Sequence, residues 1–429
     1  MHRVALLAGA LALVAGCSSG GSSNPAVQRS GTDAPATTAA ATTGAPGTTA
    51  APGTTAAPGE NAGAPEGDAF YTPPDPLPAG QPGDVIWSRP FAGPSGSQGS
   101  EVLYLSTTVD GQPVAVSGVV IAPAAGASPG PAEGRTVVSW AHGTTGMGDD
   151  CAPSKLYPTG QTGETLLAQL AVARGFVYTA TDYQGLGPPG DHPYVVGLSE
   201  GRNVLDAARA AERLTGTGAT ATSKVVVWGH SQGGGAALFA AELAPVYAPD
   251  LQVVGAIAGA PAAELATVAA ANIGGAYTGF GLMALVGFHA GYPALSYDAV
   301  LNDAGKAAVA TVAKQCSDAI VREYAGDQLT DFLTADPATV PGWSDAYRAN
   351  DAGHTATTVP IFLYHGDADD LIPVSVSHTL LQDYCALGVP VSLKTYPGAD
   401  HVSVITAAVN DILAFANGRL AGTPAPSSC

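Results

Sequence analysis

The sequence predicts an α/β protein in which a mostly parallel β-sheet is covered by helices on both faces. Short apolar segments typical of buried strands alternate with segments of helical periodicity after about residue 136. A glycine-rich turn directly follows one of these strands. Between two late strands lie roughly a hundred residues with helical patterns, far more than a connection between strands needs. This excess predicts a large, mainly helical cap inserted between late strands.

The first residues predict a signal for export. His2 and Arg3 precede an apolar run, residues 4–14, that is too short to span a bilayer and is typical of a signal peptide, which we place at residues 1–16. The sequence VAGC ending at Cys17 resembles a bacterial lipobox, in which the cysteine becomes the lipidated first residue. We therefore expect a chain anchored to the outer face of a bacterial cell membrane, with an ordinary secretory signal as the alternative.

Residues 17–73 predict a tether. The stretch from 18 to about 67 is built from Ala, Thr, Pro, Gly and Ser and has almost no large apolar residue with which to form a core. We expect order to begin near Phe70 or soon after, and we place the core domain at residues 74–261 and 355–429 with the cap at residues 262–354.

The elements of the core follow in order. Segments 101–108 and 113–122 predict a hairpin around Asp110-Gly111. The alternating elements after it are predicted as strands at 136–141, 176–181, 225–228, 252–257, 359–364 and 390–395, and helices at 164–174, 199–214, 377–386 and 402–417. Within the cap, residues 302–324 have a helical pattern.

Bulk composition excludes one class of partner. The 429 residues include 16 Lys and Arg against 35 Asp and Glu, a formal net charge of -19. A chain this poor in basic residues is not expected to bind nucleic acid. A hydrophobic fraction of 46% is ample for a large core.

The stretch VVVWGHSQGGGAAL predicts a sharp turn from a strand to a helix. Gly229 and Gly233 have no Cβ to collide in a tight turn, and Ser231 at its apex would present its hydroxyl free of the sheet. Its spacing is that of the G-x-S-x-G nucleophile elbow, although an ordinary glycine-rich loop has the same composition. A nucleophilic serine needs a base, an orienting acid and an oxyanion hole.

His401 and Asp369 are the predicted base and acid. His401 follows the last strand and precedes the last helix, at the carboxyl edge of the sheet where ligands bind in open α/β folds. Asp369 follows the strand at 359–364 and lies between the serine and the histidine in chain order. Asp367 is the alternative acid. Asp400 adjoins His401, and neighbouring side chains diverge. The acidic loop does not match an EF-hand, and we expect no metal and no cofactor.

The oxyanion hole needs two backbone N–H groups. Gln232 supplies one at the start of the helix, and the HGTTG loop after the strand at 136–141 supplies the other, with Thr144 as the predicted residue to within one or two positions. Four cysteines remain once Cys17 is set aside, and an even number in an exported chain predicts two disulfides with three possible pairings.

Together these motifs resemble the α/β-hydrolase fold and, more narrowly, the secretory lipase family that includes fungal lipase A. The resemblance lies in HGTTG with CAPS, TDYQGLG, HPY, GRNVLDAARAA and GHSQGGGAA, and covers the chain from about Pro74 to the C-terminus. It implies Ser231 as nucleophile, Asp369 as acid and His401 as base. It also implies the disulfides Cys151–Cys316 and Cys385–Cys429.

The sequence therefore predicts a serine hydrolase that cleaves carboxylic esters of apolar acyl chains through an acyl-enzyme. The apolar cap segment at 274–291 either lines an acyl pocket or forms the core of the cap. Two alternatives stay open: a peptidase or amidase with the same triad, and a non-catalytic lipid-binding surface lipoprotein.

Overall fold

The structure is a computed structural model that describes residues 63–126, 130–272 and 275–429. The predicted signal peptide, Cys17 and most of the predicted tether lie outside the described residues. None of the helices in the described ranges is long and apolar enough to cross a membrane.

The described strands form one sheet in the order β1-β2-β3-β5-β4-β6-β7-β8-β9. Their bounds are β1 Val85–Phe91, β2 Ser97–Thr107, β3 Pro113–Pro123, β4 Val137–Ala141, β5 Val177–Thr181, β6 Lys224–His230, β7 Gln252–Gly259, β8 Ile361–Gly366 and β9 Val391–Tyr396. Pairing is antiparallel from β1 to β5 and parallel from β5 to β9. The mostly parallel sheet that the sequence predicts is therefore confirmed.

The hairpin of β2 and β3 turns at Gly111. Its φ of 82° lies in the left-handed region, which glycine adopts without steric cost, and its amide donates to Thr108 O at 2.9 Å. Eleven residue pairs join the two strands without a register shift, from Ser97↔Pro123 to Thr107↔Pro113. The Asp-Gly turn thus fixes the register of the antiparallel end of the sheet.

Helices cover both faces of the sheet. The α-helices of the described residues are α1 Thr165–Val172, α2 Gly197–Arg213, α3 Gln232–Tyr247, α4 Leu265–Ala271, α5 Thr278–Gly291, α6 Asp303–Val312, α7 Ser317–Glu323, α8 Trp343–Ala349, α9 Ser375–Ala386 and α10 Ser403–Leu420. Buried residues of α2, α3 and α9 share one apolar core with the sheet, and those of α1 and α10 share a second core. Because both faces of the sheet are covered, β6 has six buried residues in succession, without the alternation of buried and exposed side chains that a half-exposed strand shows.

Five of these helices, α4 to α8, lie between β7 and β8. Their own apolar core includes Leu282, Phe288 and Trp343, and it also takes in Tyr194 and Val196 from the segment before α2. The insertion of a mainly helical cap between late strands is confirmed. The exact domain boundaries stay a prediction.

The cap is joined to the sheet domain beside β4. The Met147 amide donates to Gln315 O, and the Ser317 amide donates to Thr145 O, both at 2.9 Å. A disulfide between Cys151 and Cys316 lies next to this pairing. The second disulfide, Cys385–Cys429, ties the C-terminal residue to α9.

The last residues of the predicted tether, which ends at residue 73, contact the sheet domain. Residues 67–71 form a 3-10 helix in which Phe70 and Tyr71 are buried. The Trp87 indole donates to Phe70 O at 2.9 Å, and the Tyr71 hydroxyl lies 2.9 Å from Ser154 Oγ. These partners are distant in the sequence, and for this reason local composition gave no sign of them.

The strand order reverses between β4 and β6. The chain passes from β4 outward to β5 and then returns to place β6 on the other side of β4. Loops that leave the carboxyl ends of β4 and β6 therefore diverge to opposite sides and open a crevice between them. Such a switch point is where ligands bind in open α/β sheets.

Candidate active site

Ser231 lies at the strained apex of the turn between β6 and α3. Its backbone has φ 60° and ψ -123°, a conformation that residues with a side chain rarely adopt. The turn is fixed from both sides, because the Ser231 amide donates to Gly259 O at 2.9 Å and the Ser231 carbonyl accepts from Ala262 at 2.9 Å. Such strain is typical of functional sites and here lifts one hydroxyl away from the sheet.

The glycines on either side are required by close backbone approach. A Cβ at Gly229 would lie 1.9 Å from Gly233 O, and a Cβ at Gly233 would lie 1.9 Å from Ala141 O. Both distances are far below van der Waals contact. The first turn of α3 is thus pressed against the end of β4, and only glycine allows this packing.

Asp369 and His401 meet at the carboxyl edge of the sheet. His401 Nδ1 lies 2.7 Å from Asp369 Oδ2, and the amides of Leu371 and Ile372 donate to Oδ1 at 3.0 Å and 2.8 Å. The alternative acid Asp367 instead accepts from the Gly398 amide at 2.6 Å. The geometry thus pairs His401 with Asp369, the residue that the sequence favoured.

A second histidine contacts the same carboxylate. His365 Nε2 lies 3.1 Å from Asp369 Oδ2 and 2.9 Å from Ile372 O, while its Nδ1 lies 2.7 Å from Ser377 Oγ. Because both neighbours of Nε2 are acceptors, Nε2 carries a proton and donates it. Sequence reasoning assigned His365 no role, although its spacing of four residues from Asp369 in HGDAD was the available signal.

These hydrogen bonds keep Asp369 ionised. Burial alone would raise the pKa of Asp369, but the hydrogen bonds from His365 and His401 outweigh it and hold that pKa well below its ordinary value. The ring of His230 lies 4.8 Å from that of His401. Burial lowers the pKa of His230 to about 3. An imidazolium at position 401 would therefore face one carboxylate and an uncharged neighbour.

No hydrogen bond joins Ser231 and His401 Nε2 in this structure. His401 Nε2 is buried and has no hydrogen-bond partner among the residues that the structure describes. The ring contact with His230 nevertheless places His401 beside the elbow. Catalytic hydrogen bonds are often long in enzymes without substrate and tighten when substrate binds.

The loop after β4 brings the predicted oxyanion residue Thr144 to the cavity beside the serine. A Cβ at Gly143 would lie 3.8 Å from Ser231 Cβ, and Thr144 and Ser231 line the same cavity. Gln232 is the first residue of α3, where helix amides have no partner within the helix. Two predicted donors thus come from opposite sides of the switch point.

The side chain of Gln232 is buried in a polar network. Its Nε2 donates to Glu200 Oε1 at 2.7 Å and lies 3.0 Å from His192 Nε2. Burial raises the pKa of Glu200 to about 8 and lowers that of His192 to about 3. The network therefore contains no basic group that is charged at neutral pH.

An apolar cavity of about 450 Å³ opens beside Ser231. Its size falls within the range of roughly 300–1,000 Å³ of small-molecule sites. The cap supplies most of the cavity wall, and the loop that contains Asp369 supplies Leu371 and Ile372. The apolar residues from the cap include Leu265, Val268, Phe280, Ala284, Leu285, Phe288, Leu329 and Leu333. The described part of the predicted segment, residues 275–291, therefore contributes both to this wall and to the core of the cap.

Comparisons with a family model and with known sequences both point to lipases. The family model for secretory lipases matches residues 152–428. A Mycobacterium tuberculosis protein described as a probable inactive lipase is 29% identical over 379 residues, which cover 84% of this chain and 83% of that protein. Lipase A of Moesziomyces aphidis is 26% identical over 365 residues, 79% of this chain and 76% of the relative.

Solved structures with the same fold include lipases and esterases. Candida antarctica lipase A in its closed state has a TM-score of 0.74 at 23% identity, covering 86% of this chain and 91% of that one. The rice cell wall degrading esterase LipA of Xanthomonas oryzae, in a ligand-bound form, has a TM-score of 0.65 at 19% identity, covering 80% and 100%. The α/β-hydrolase fold is thereby confirmed.

The packing of the elbow makes a steric prediction. Gly233→Ala should lower the melting temperature by several degrees or prevent folding, because the new methyl group would overlap Ala141 O. Gly163→Ala is the matched control, since no described heavy atom lies within 4 Å of its would-be Cβ, and it should melt within about 2 °C of wild type. Equal melting temperatures for the two variants in calorimetry would contradict the tight turn.

The buried carboxyl predicts a pH dependence of stability. Folding raises the pKa of Glu200 from 4.5 to about 8, so the folded chain keeps a proton that the unfolded chain releases in this window. The free energy of unfolding of the wild type should therefore fall, relative to Glu200→Gln, as pH rises from about 4.5 to about 8, with a limiting slope of about 1.4 kcal/mol per pH unit. In the folded chain His192 stays neutral across this window, because burial lowers its pKa to about 3. Urea unfolding at several pH values would show this, and a pH-independent difference would refute it.

Proposed function

The chain belongs to the secretory lipase family, and we propose that it is a serine hydrolase that cleaves carboxylic esters of apolar acyl chains. One observation carries this proposal. A strained serine at a nucleophile elbow lines an apolar cavity, and the ionised Asp369 contacts His401 beside that elbow. Each feature has an ordinary structural use by itself, but their combination matches the parts of a Ser-His-Asp triad.

In the proposed acylation, His401 Nε2 accepts the hydroxyl proton of Ser231 as Oγ forms a bond to the ester carbonyl carbon. The resulting oxyanion receives hydrogen bonds from the amides of Gln232 and Thr144. When the tetrahedral intermediate collapses, the bond from carbon to the alcohol oxygen breaks and His401 donates its proton to the leaving alcohol. Water then attacks the acyl-enzyme by the same route in reverse and releases the acid.

Asp369 would act on His401 without itself becoming protonated. A carboxylate beside Nδ1 fixes that nitrogen as the protonated one, so Nε2 is free to accept. It also stabilises the imidazolium that forms during each half-reaction. The hydrogen bonds of Asp369 to two amides and to His365 support this role, because they keep the carboxylate ionised and fixed in one rotamer.

The cavity supports an apolar acyl group as the part of the substrate that is recognised. Ser231 and Thr144 lie at its wall together with apolar cap residues such as Phe280 and Leu285. Each methylene group of the acyl chain that is buried there would contribute about 0.8 kcal/mol to the free energy of binding. Esters of longer acyl chains are therefore the proposed substrates.

The proposed setting is outside the cell. Membership of a family of secretory lipases supports export, and the signal-like residues 1–16 with Cys17 support a lipid anchor on the outer face of a bacterial membrane. The Mycobacterium tuberculosis relative, described as a probable inactive lipase, favours one competing function. In that alternative the chain binds lipid in the same cavity and catalyses nothing.

Turnover by matched variants distinguishes a serine hydrolase from a non-catalytic lipid-binding protein. Ser231→Ala should reduce hydrolysis of p-nitrophenyl esters to the background rate. Asp369→Asn should lower kcat about 10³- to 10⁴-fold, because His401 would lose the acceptor that fixes its tautomer. Asp370→Asn, one residue along the same loop, should stay near wild type, since Asp370 contacts Tyr277 rather than His401.

A wild-type chain that hydrolyses none of these esters, but binds a fluorescent fatty acid, would establish the alternative. Comparison of p-nitrophenyl esters with the matching anilides addresses the bond that is cleaved. Faster cleavage of anilides would replace the esterase by an amidase.

Filling the cavity should change chain-length preference. Ala284 lies on α5 at the cavity wall, and Ala284→Phe should lower kcat/KM for p-nitrophenyl palmitate at least tenfold while that for the butyrate changes little. Ala310→Phe adds the same ring to an exposed position of α6 and serves as the control. If both variants keep the palmitate to butyrate ratio of wild type, the acyl chain does not bind in this cavity.

A further inference from the structure

We propose that residues 192–195 position both halves of the oxyanion hole, and that the Tyr194 hydroxyl sets the β4 loop through Thr144. The inference rests on the proposed function and deepens it. Thr144 and Gln232 come from loops far apart in the chain, and side chains from this single segment contact both residues. Tyr194 would be a positioning residue that acts through Thr144.

The contact on the β4 side is a pair of hydroxyls. Tyr194 OH lies 2.9 Å from Thr144 Oγ1, and both residues line the cavity beside Ser231. Either oxygen can donate, and the loop is fixed in both cases. Because the predicted oxyanion donor is the amide of Thr144 itself, a bond to its side chain limits the rotation of that residue. An amide that is fixed before reaction needs no reorganisation as charge develops.

The contact on the elbow side is made by His192. Its Nδ1 lies 2.8 Å from the carbonyl of Gln184, an acceptor, so Nδ1 carries the proton and Nε2 is free to accept. Gln232 Nε2 lies 3.0 Å from that nitrogen and also donates to Glu200 Oε1. Both N–H groups of the Gln232 amide therefore have acceptors. The residue after the nucleophile is thus fixed by side chains as well as by the helix.

Backbone strain supports a functional role for the segment. Val195 has φ 52°, a genuine outlier for a β-branched residue. Its amide donates to Glu200 Oε1 at 2.9 Å, the same oxygen that accepts from Gln232. Glu200 Oε1 thus links the strained residue that follows Tyr194 to the residue that follows the nucleophile.

The cap presses on the segment from the other side. A Cβ at Gly287 of α5 would lie 2.3 Å from Tyr194 O and 2.5 Å from its N, so the helix axis approaches the Tyr194 backbone closely. Tyr194 and Val195 also belong to the apolar core of the cap. The segment is therefore fixed between the cap and the sheet domain, with its polar groups turned to the oxyanion residues.

A double-mutant cycle on full-length protein tests the role of Tyr194. Tyr194→Phe should lower kcat for p-nitrophenyl butyrate about 3- to 10-fold, the loss expected for one buried hydrogen bond, with KM changed less than twofold. Thr144→Val keeps the shape and the backbone amide but removes the hydroxyl, and it should lower kcat by a similar factor. Because one contact is lost in both cases, the double variant should be no slower than the slower single variant.

Two further variants distinguish positioning from loss of stability. Thr144→Ser keeps a hydroxyl and should keep kcat within about twofold of wild type. Tyr292→Phe removes a tyrosine hydroxyl that accepts from Asn350 at 2.6 Å within the same cap core, and it should leave kcat unchanged. Melting temperatures of all variants show whether each has folded.

The outcomes separate the two proposals. An active wild type whose Tyr194→Phe variant keeps full kcat overturns the inference alone. The same conclusion follows if the effects of Tyr194→Phe and Thr144→Val multiply, since the two hydroxyls would then act independently. A wild type that hydrolyses no ester overturns the proposed function and the inference together.

Discussion

The architecture of the site depends on the contact between the first turn of α3 and the end of β4. Gly233 approaches the Ala141 carbonyl so closely that no other residue fits. This contact brings Ser231, at the start of one helix, within reach of the loop that follows a different strand. It also lies at the point where the strand order reverses, so both loops open outward from it. The serine and Thr144 line one cavity beside it.

Charge is distributed unevenly around this contact. On the side of β8, Asp369 is buried yet ionised, because two amides and two histidines donate to it or lie within hydrogen-bond distance. On the side of α2, Glu200 is buried, no charged cation among the described residues pairs with it, and burial raises its pKa to about 8. One carboxylate thus keeps its charge and the other keeps its proton near neutral pH. Negative charge is concentrated where an imidazolium would form and is reduced beneath the amides that would bind an oxyanion.

Sequence patterns were sufficient wherever an element is defined by its own residues. The buried run at β6, the glycines around Ser231 and the Asp-Gly hairpin each need only local information, and the observed strand β6 extends the predicted one by a few residues. The edge strand β1 went unpredicted because it pairs with β2 alone and contains Pro90. His365 and Tyr194 were missed as site residues for another reason. Their contacts depend on a loop register and on the left-handed backbone of Val195, which a β-branched residue does not indicate.

The cap forms part of the site and is not simply a cover. It pairs with the β4 loop through the backbone at Met147 and Ser317, and a disulfide lies beside that pairing. It also packs on the backbone of Tyr194 through Gly287. The first contact is made by the loop that contains Thr144, and the second by Tyr194, whose hydroxyl lies 2.9 Å from Thr144 Oγ1. Because the cap also forms most of the cavity wall, the elements that would select the acyl chain are mechanically joined to those that would stabilise the oxyanion.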